Sequence, residues 1–337
     1  PIVACGGEEL SNIFKESGIK SYNIKFSNKN ILVNAYDLSK IIKNENIKIV
    51  HAHDNTASLI SYLVKKVFRN DIRIVSHIHN CYPFLKGNGF NKKIDKYLRN
   101  KYDFNITCGK IVTDFYKENT DYFNENKNLT LSNAMDIKYI TNVDKNDVEK
   151  AVTTYKIPSN KKILGFIGRL DEQKGIIPFI KELSKHKGKF YDSVIILVGS
   201  GSQEEEIKAI IKKLNLEDLF ILTGFQENIK SFYLIIDVFF LPSLYEGLPM
   251  VLLEAMAFKK PIISMDVGSI KEVIINEETG ILINEGDYQG FIKELIKLKN
   301  DDMLREKLAL KGFEYVNKNY NIKNYENNIG KLYKQLI

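Results

Sequence analysis

The stretch ILGFIGRLDEQKGIIPFIKELSKHKGKFYDSVIILVG, residues 163–199, decides the fold class. Its ends, ILGFIG and SVIILVG, are uniformly apolar runs of strand length, while GIIPFIKELSKH between them carries its apolar residues at helical spacing. A strand apolar on both sides is covered on both faces, and a helix joining two such strands is the crossover of a parallel pair. The alternation continues through EEEIKAIIKKLNL, LFILTG, ENIKSFYLII, VFFLPS, PMVLLEAMAF and PIISMDVG; the first half repeats it in KIVHAH, ASLISYLVKKVF, RIVSHIH, DFNITC and NLTLSNAM. The expected architecture is α/β: two Rossmann-like, doubly wound parallel-sheet domains facing across a cleft. The polar stretch NVDKNDVEKAVTTYKIPSNKK (142–162) marks the boundary, which gives domains 1–156 and 157–317 and a C-terminal helix within 318–337.

Composition limits the function classes. In 337 residues, 44% hydrophobic, no run reaches the roughly 20 apolar residues that span a bilayer. No signal peptide opens the chain, so the expected location is cytoplasmic. Cys5, Cys81 and Cys108 are odd in number and scattered, which suits a reducing compartment and gives no zinc spacing. Of the net charge of +7, residues 1–150 hold most, with 23 Lys/Arg against 17 Asp/Glu; residues 151–337 have 26 against 25. The local cluster Lys92, Lys93, Lys96, Arg99 and Lys101 reads either as a solvated helix face or as a surface for anionic lipid, where each basic residue contributes about 1 kcal/mol. No nucleic-acid motif accompanies the charge, and nucleic acid is not an expected partner.

In open parallel sheets ligands collect beyond the carboxyl ends of the strands, so the loops there carry the chemistry. After VFFLPS comes LYEGLPMVLLEAMAF, with Glu246 just ahead of a helix and Pro249 near its first turn. The unpaired N–H groups and positive dipole end of that helix suit a phosphate. Glu254 follows among Val251, Leu252, Leu253, Ala255 and Met256, and a carboxylate there is either paired or bound to ligand hydroxyls. At the first strand of the same domain, Gly168 permits close backbone approach, and Arg169 and Lys174 bring two positive charges. Together these read as a diphosphate clamp beside a pair of carboxylates that accept from a polyol. No Asp-x-Asp is present to hold a metal, so the expected metal and cofactor complement is none, with the cations and helix dipole offsetting the leaving-group charge. The pairs His51/His53 and His77/His79 could form a metal site, since alternate strand residues point the same way. Apart from Asp54 they lack supporting carboxylates, and His51 and His53 read as structural strand-end residues.

The motifs GRLDEQKG, VGSGSQEEEI, LTGF and LPSLYEGLPMVLLEAMAFKKPIISMDVGSIKEVI, with Glu, seven residues, Glu, resemble the retaining glycosyltransferases of family 4, which have the GT-B fold. VHAHD, RIVSHIHN and LSNAMD agree more loosely. The resemblance implies that 1–156 is an acceptor-side domain and 157–317 the nucleotide-sugar domain, with the last helix packing back on the first. It implies that Arg169 and Lys174 bind the donor diphosphate, that Glu246 holds hydroxyls of the transferred sugar near the backbone of Gly247, Leu248 and Pro249, and that Glu254 accepts from the ribose. Gly199, Gly201 and Phe225 match loops around the nucleotide, and His79 matches a histidine facing the reacting sugar. The implied activity moves a hexose or N-acetylhexosamine from a nucleotide-diphosphate sugar, a UDP-sugar at the family level, to a lipid-linked or polysaccharide acceptor in bacterial surface-glycan synthesis. The enzyme would be peripheral on the inner face of the plasma membrane. A GT-B phosphorylase or epimerase, or a non-catalytic nucleotide-sugar-binding subunit, are the alternatives. The loop HNCYPFLKGNGF after His79 reads as an acceptor contact and mobile lid. The chain departs from the family at its start: PIVACGGEEL reads as strand, loop and helix already under way, and the family's first strand with its glycine-rich loop is expected upstream.

Overall fold

In the computed structural model, which describes residues 1–24, 26, 29–68 and 71–337, every paired strand runs parallel to its neighbours. Two units are distinct: Pro1–Asn133 with Tyr325–Ile337, and Ala134–Asn324. The first holds β1 (Val3–Cys5), β2 (Ser21–Asn23), β3 (Ile49–His53), β4 (Arg73–Ile78), β5 (Phe104–Thr107) and β6 (Asn128–Thr130). These form two sheets, β1-β2 and β3-β4-β5-β6, with no strand bridging β1 to β3 among the described residues.

The second unit holds β7 (Lys162–Ile167), β8 (Ser193–Val198), β9 (Phe220–Gly224), β10 (Val238–Leu241), β11 (Ile262–Asp266) and β12 (Ile281–Asn284). Their order is β12-β11-β10-β7-β8-β9, so the chain winds outward from β7 in one direction, then returns to β7's other side with β10. That reversal opens a crevice at the carboxyl ends of β7 and β10. All residues of β8 and β10 are buried, as their unbroken apolar runs require of a sheet covered on both faces.

The units divide at Asn133/Ala134, not at 156/157. The stretch read as a linker is polar overall, but its Ala151 and Ile157, with Met135 and Ile137 just before it, are buried in the second core and hold it there. At the other end, the helix Ile322–Leu336 gives the first unit its last turns from Tyr325 on. There Leu332 is buried with Val75, Ile106 and Leu131, and Tyr325, Ile329, Tyr333 and Leu336 pack against them.

The basic cluster is not one surface. It lies along the helix Phe90–Arg99, where Lys93 and Lys96 are exposed but Arg99 is buried. Arg99 pairs with buried Asp95 at 2.5 Å and donates to Ser76 Oγ, Asn105 Oδ1 and Tyr116 Oη. Tyr122 donates to the second Asp95 oxygen at 2.8 Å. Arg99 is one turn from Asp95 on the inward face, so it neutralises a core carboxylate instead of meeting solvent. The loop after His79 is likewise anchored: Leu85 is fully buried with Ile78, Val112 and Tyr116, and Tyr82 and Phe84 pack against that cluster.

Candidate active site

Two loops meet at the crevice of the second unit. The one after β7 carries Gly168, Arg169, Asp171, Gln173 and Lys174; the one after β10 carries Ser243, Tyr245, Glu246 and Gly247. Leu244 N–H donates to Gln173 O and Gln173 Nε2 to Tyr245 O, both at 2.8 Å, which pins one loop on the other. Gly175 turns between the β7 loop and its helix at φ 64°, where an added Cβ would lie 2.1 Å from Pro242 O, so no larger residue fits that approach.

Within this frame Lys174 Nζ meets Glu246 Oε1 at 2.6 Å, with both side chains largely buried, 12% and 5% exposed. Ser243 Oγ donates to the same oxygen at 2.7 Å. Oε1 is thus doubly held, while Oε2 has no partner among the described residues. The ammonium has three donors and uses one here, so it can serve an anion while keeping its glutamate. Pro249, with extended backbone, caps the helix Met250–Ala257, whose first-turn N–H groups open directly after the glutamate loop.

Glu254 lies within that helix, and its Oε2 accepts from Tyr233 Oη at 2.7 Å. Tyr233 is fully buried; burial, then the adjacent carboxylate, pushes its phenol well above the ordinary range, so it remains a donor. The remaining sequence-selected residues separate into two kinds. Gly199 and Gly201 press against the β7 loop, where Cβ atoms would sit 2.0 Å from Gly168 O and 2.3 Å from Leu170 O; here they serve backbone packing. Phe225, following β9, projects an aromatic ring that is 72% exposed, and Gly247 and Leu248 lie in the β10 loop itself. Arg169 is 76% exposed and its one ion pair among the described residues is with Asp171, at 3.4 Å; it is not joined to the Lys174–Glu246 pair. His79 belongs to the first unit, with Nε2 2.9 Å from His53 Nδ1, and burial lowers its pKa.

Several residues of this site escaped the sequence reading. Ser243 and Gln173 are ordinary loop residues whose importance is positional, and Tyr233 reads as one more apolar helix residue. Asp171 Oδ1 is buried without a partner, an acceptor in the same loop as Arg169. Gly268, after β11, sits at φ 57°, and an added Cβ would lie 1.8 Å from Glu246 O. A glycine just past a strand's carboxyl end is the signal that could have found it.

A cation–carboxylate pair and a helix N-terminus at the switch point of a doubly wound domain form an arrangement suited to an anionic, hydroxyl-bearing ligand. The model for "Glycosyl transferases group 1" matches residues 147–314 and that for "Glycosyltransferase Family 4" matches residues 4–127. The chain belongs to the family 4 glycosyltransferases, with the GT-B fold, and is a glycosyltransferase. It is 28% identical over 309 residues to the N-acetyl-alpha-D-glucosaminyl L-malate synthase of Bacillus anthracis, covering 90% of this chain and 78% of that protein. It is 25% identical over 278 residues to the UDP-Gal:alpha-D-GlcNAc-diphosphoundecaprenol alpha-1,3-galactosyltransferase of Escherichia coli, covering 79% and 70%. The crystal structure of Anabaena HepE in complex with UDP superposes with TM-score 0.85 at 16% identity, covering 99% of this chain and 92% of that one, and shares its fold.

Proposed function

We propose that the chain transfers a hexose or N-acetylhexosamine, with retention, from a UDP-sugar to a lipid-linked or polysaccharide acceptor. The observation that carries this reading is the Lys174–Glu246 pair, held at 2.6 Å where β7 and β10 end. Lys174 keeps one donor on Glu246 and turns the others to the donor diphosphate, and exposed Arg169 swings in as the second cation. The first-turn N–H groups of Met250–Ala257 add a fixed positive end, so charge developing on the departing nucleoside diphosphate is offset without a metal. Glu246 Oε2 accepts from a hydroxyl of the transferred sugar, orienting the anomeric carbon. Glu254, fixed by Tyr233, accepts from the ribose, and Phe225 offers a face to the base. Retention follows from attack on the face the phosphate leaves, with the phosphate taking the acceptor's proton; capture on a carboxylate is the competing route.

The UDP assignment draws support from the E. coli relative, whose name specifies UDP-Gal, and from HepE, seen with UDP. The same relative's diphosphoundecaprenol acceptor supports a lipid-linked one here. Among the described residues no helix is long and apolar enough to cross a membrane, and Lys92, Lys93, Lys96 and Lys101, without Arg99, form the surface we assign to anionic lipid. The test is a thermal-shift panel of UDP, GDP, ADP and their sugars, with and without EDTA, because a ligand of the native state raises apparent stability. A shift specific to uridine nucleotides that survives EDTA supports the reading, provided EDTA alone is recorded as its own baseline. No shift with folded protein overturns it.

A further inference from the structure

Four of the chain's five histidines gather in the first unit, on two adjacent strands: His51 and His53 on β3, with His77 and His79 on β4 and the loop that follows it. The register pairs His53 with His77, and the rings stack, with His77 and His79 centroids 4.2 Å apart. His51, His53 and His77 each offer a ring nitrogen, and the three lie within 4.8 Å of one another. We propose that these three histidines bind a divalent transition-metal ion of the zinc class.

Two further observations point the same way. His51 Nε2 and His77 Nδ1 are 3.1 Å apart, close to the spacing of about 3.3 Å between neighbouring ligand nitrogens when each bond is about 2.0–2.1 Å. The far nitrogens of two of the rings are already held, His51 Nδ1 by Tyr333 Oη at 2.7 Å and His53 Nδ1 by His79 Nε2 at 2.9 Å. Such outer hydrogen bonds orient metal-binding imidazoles and fix their tautomers, and they point to Nε2 as the ligand atom of both rings; on His51 the ion would displace the hydrogen bond between Nε2 and His77 Nδ1. The ligands are all imidazole, which suits zinc, nickel, copper or cobalt and not magnesium or calcium. Access comes from a groove of about 560 Å³ lined by His51, His53, Asp54, Cys5 and Tyr333. This site is separate in sequence and unit from the donor loops, and its failure would leave the proposed transfer reaction standing.

The experiment strips the 337-residue chain with a chelator, removes the chelator, and titrates it with ZnCl2 and CoCl2. The expected result is one ion per chain, a rise in Tm that EDTA reverses, and visible cobalt absorption of tetrahedral or five-coordinate type. Exposed His53→Gln should weaken binding about tenfold or more, and Tyr333→Phe several-fold, by analogy with other outer-shell partners. His186→Gln, on the other unit, should change nothing. Absence of saturable binding at equimolar metal, or affinity unchanged in both His51→Gln and His53→Gln, overturns the proposal.

Discussion

Lys174 and Glu246 are 72 residues apart and depend on each other. Lys174→Met strands a nearly buried carboxylate and should cost about 3 kcal/mol of stability, whereas Glu246→Gln, which keeps an acceptor, should cost about 1–2 kcal/mol. In the double variant the losses should not add, with a coupling of about 1–3 kcal/mol in urea unfolding. Additive losses would mean that the pair is not formed in solution. Kinetically, Glu246→Gln should reduce transfer about 100-fold while UDP affinity stays near wild type. Tyr233→Phe removes the donor to Glu254 without changing shape; about 1 kcal/mol of stability and several-fold of nucleotide affinity should go with it. Calorimetric titration with UDP would expose the error if affinity rose instead. These partners were only half legible in sequence. That Glu254 among apolar neighbours must be paired or bound to ligand hydroxyls could be said in advance, but that a tyrosine from another helix is its partner could not.

At the scale of elements, glycine and buried charge decide how loops and helices are held. Gly268 lets the loop after β11 lie against the carbonyl of Glu246, and both its positive φ and the absence of room forbid a side chain. Gly268→Ala should lower stability by about 2 kcal/mol and raise the donor KM as the glutamate loop shifts; Gly247→Ala, whose Cβ would enter open space, should leave stability within about 0.5 kcal/mol. Equal Tm values for the two would remove this account. The helix Phe90–Arg99 separates two roles that sequence merged. Arg99→Met should cost about 3–5 kcal/mol by leaving Asp95 buried and unpaired, while Lys92→Glu/Lys93→Glu should leave Tm nearly unchanged and reduce sedimentation with anionic vesicles. Charge spacing showed a basic helix; only the packed core revealed that one of its basic residues faces inward.

Across the molecule, the first unit is completed by chain drawn from the far terminus. Deleting residues 325–337 removes Leu332 from its cluster with Val75, Ile106 and Leu131 and takes away Tyr333 from His51. The truncated chain should show earlier proteolysis within residues 1–133, with residues 134–324 comparatively protected, which limited proteolysis with mass spectrometry would follow. Uniform digestion of both units would contradict the division. What the sequence by itself determined was local and periodic: the alternation of apolar strands and helices, the parallel class that alternation demands, and the loops in which the chemistry sits. Side-chain periodicity is written residue by residue, so it survives without coordinates. Tertiary structure alone decided the partners and the borders. It placed Lys174 on Glu246 and Tyr233 on Glu254, drew four histidines together, and moved the unit boundary to Asn133/Ala134. Those outcomes depend on which distant segments share a core, and no local pattern records that.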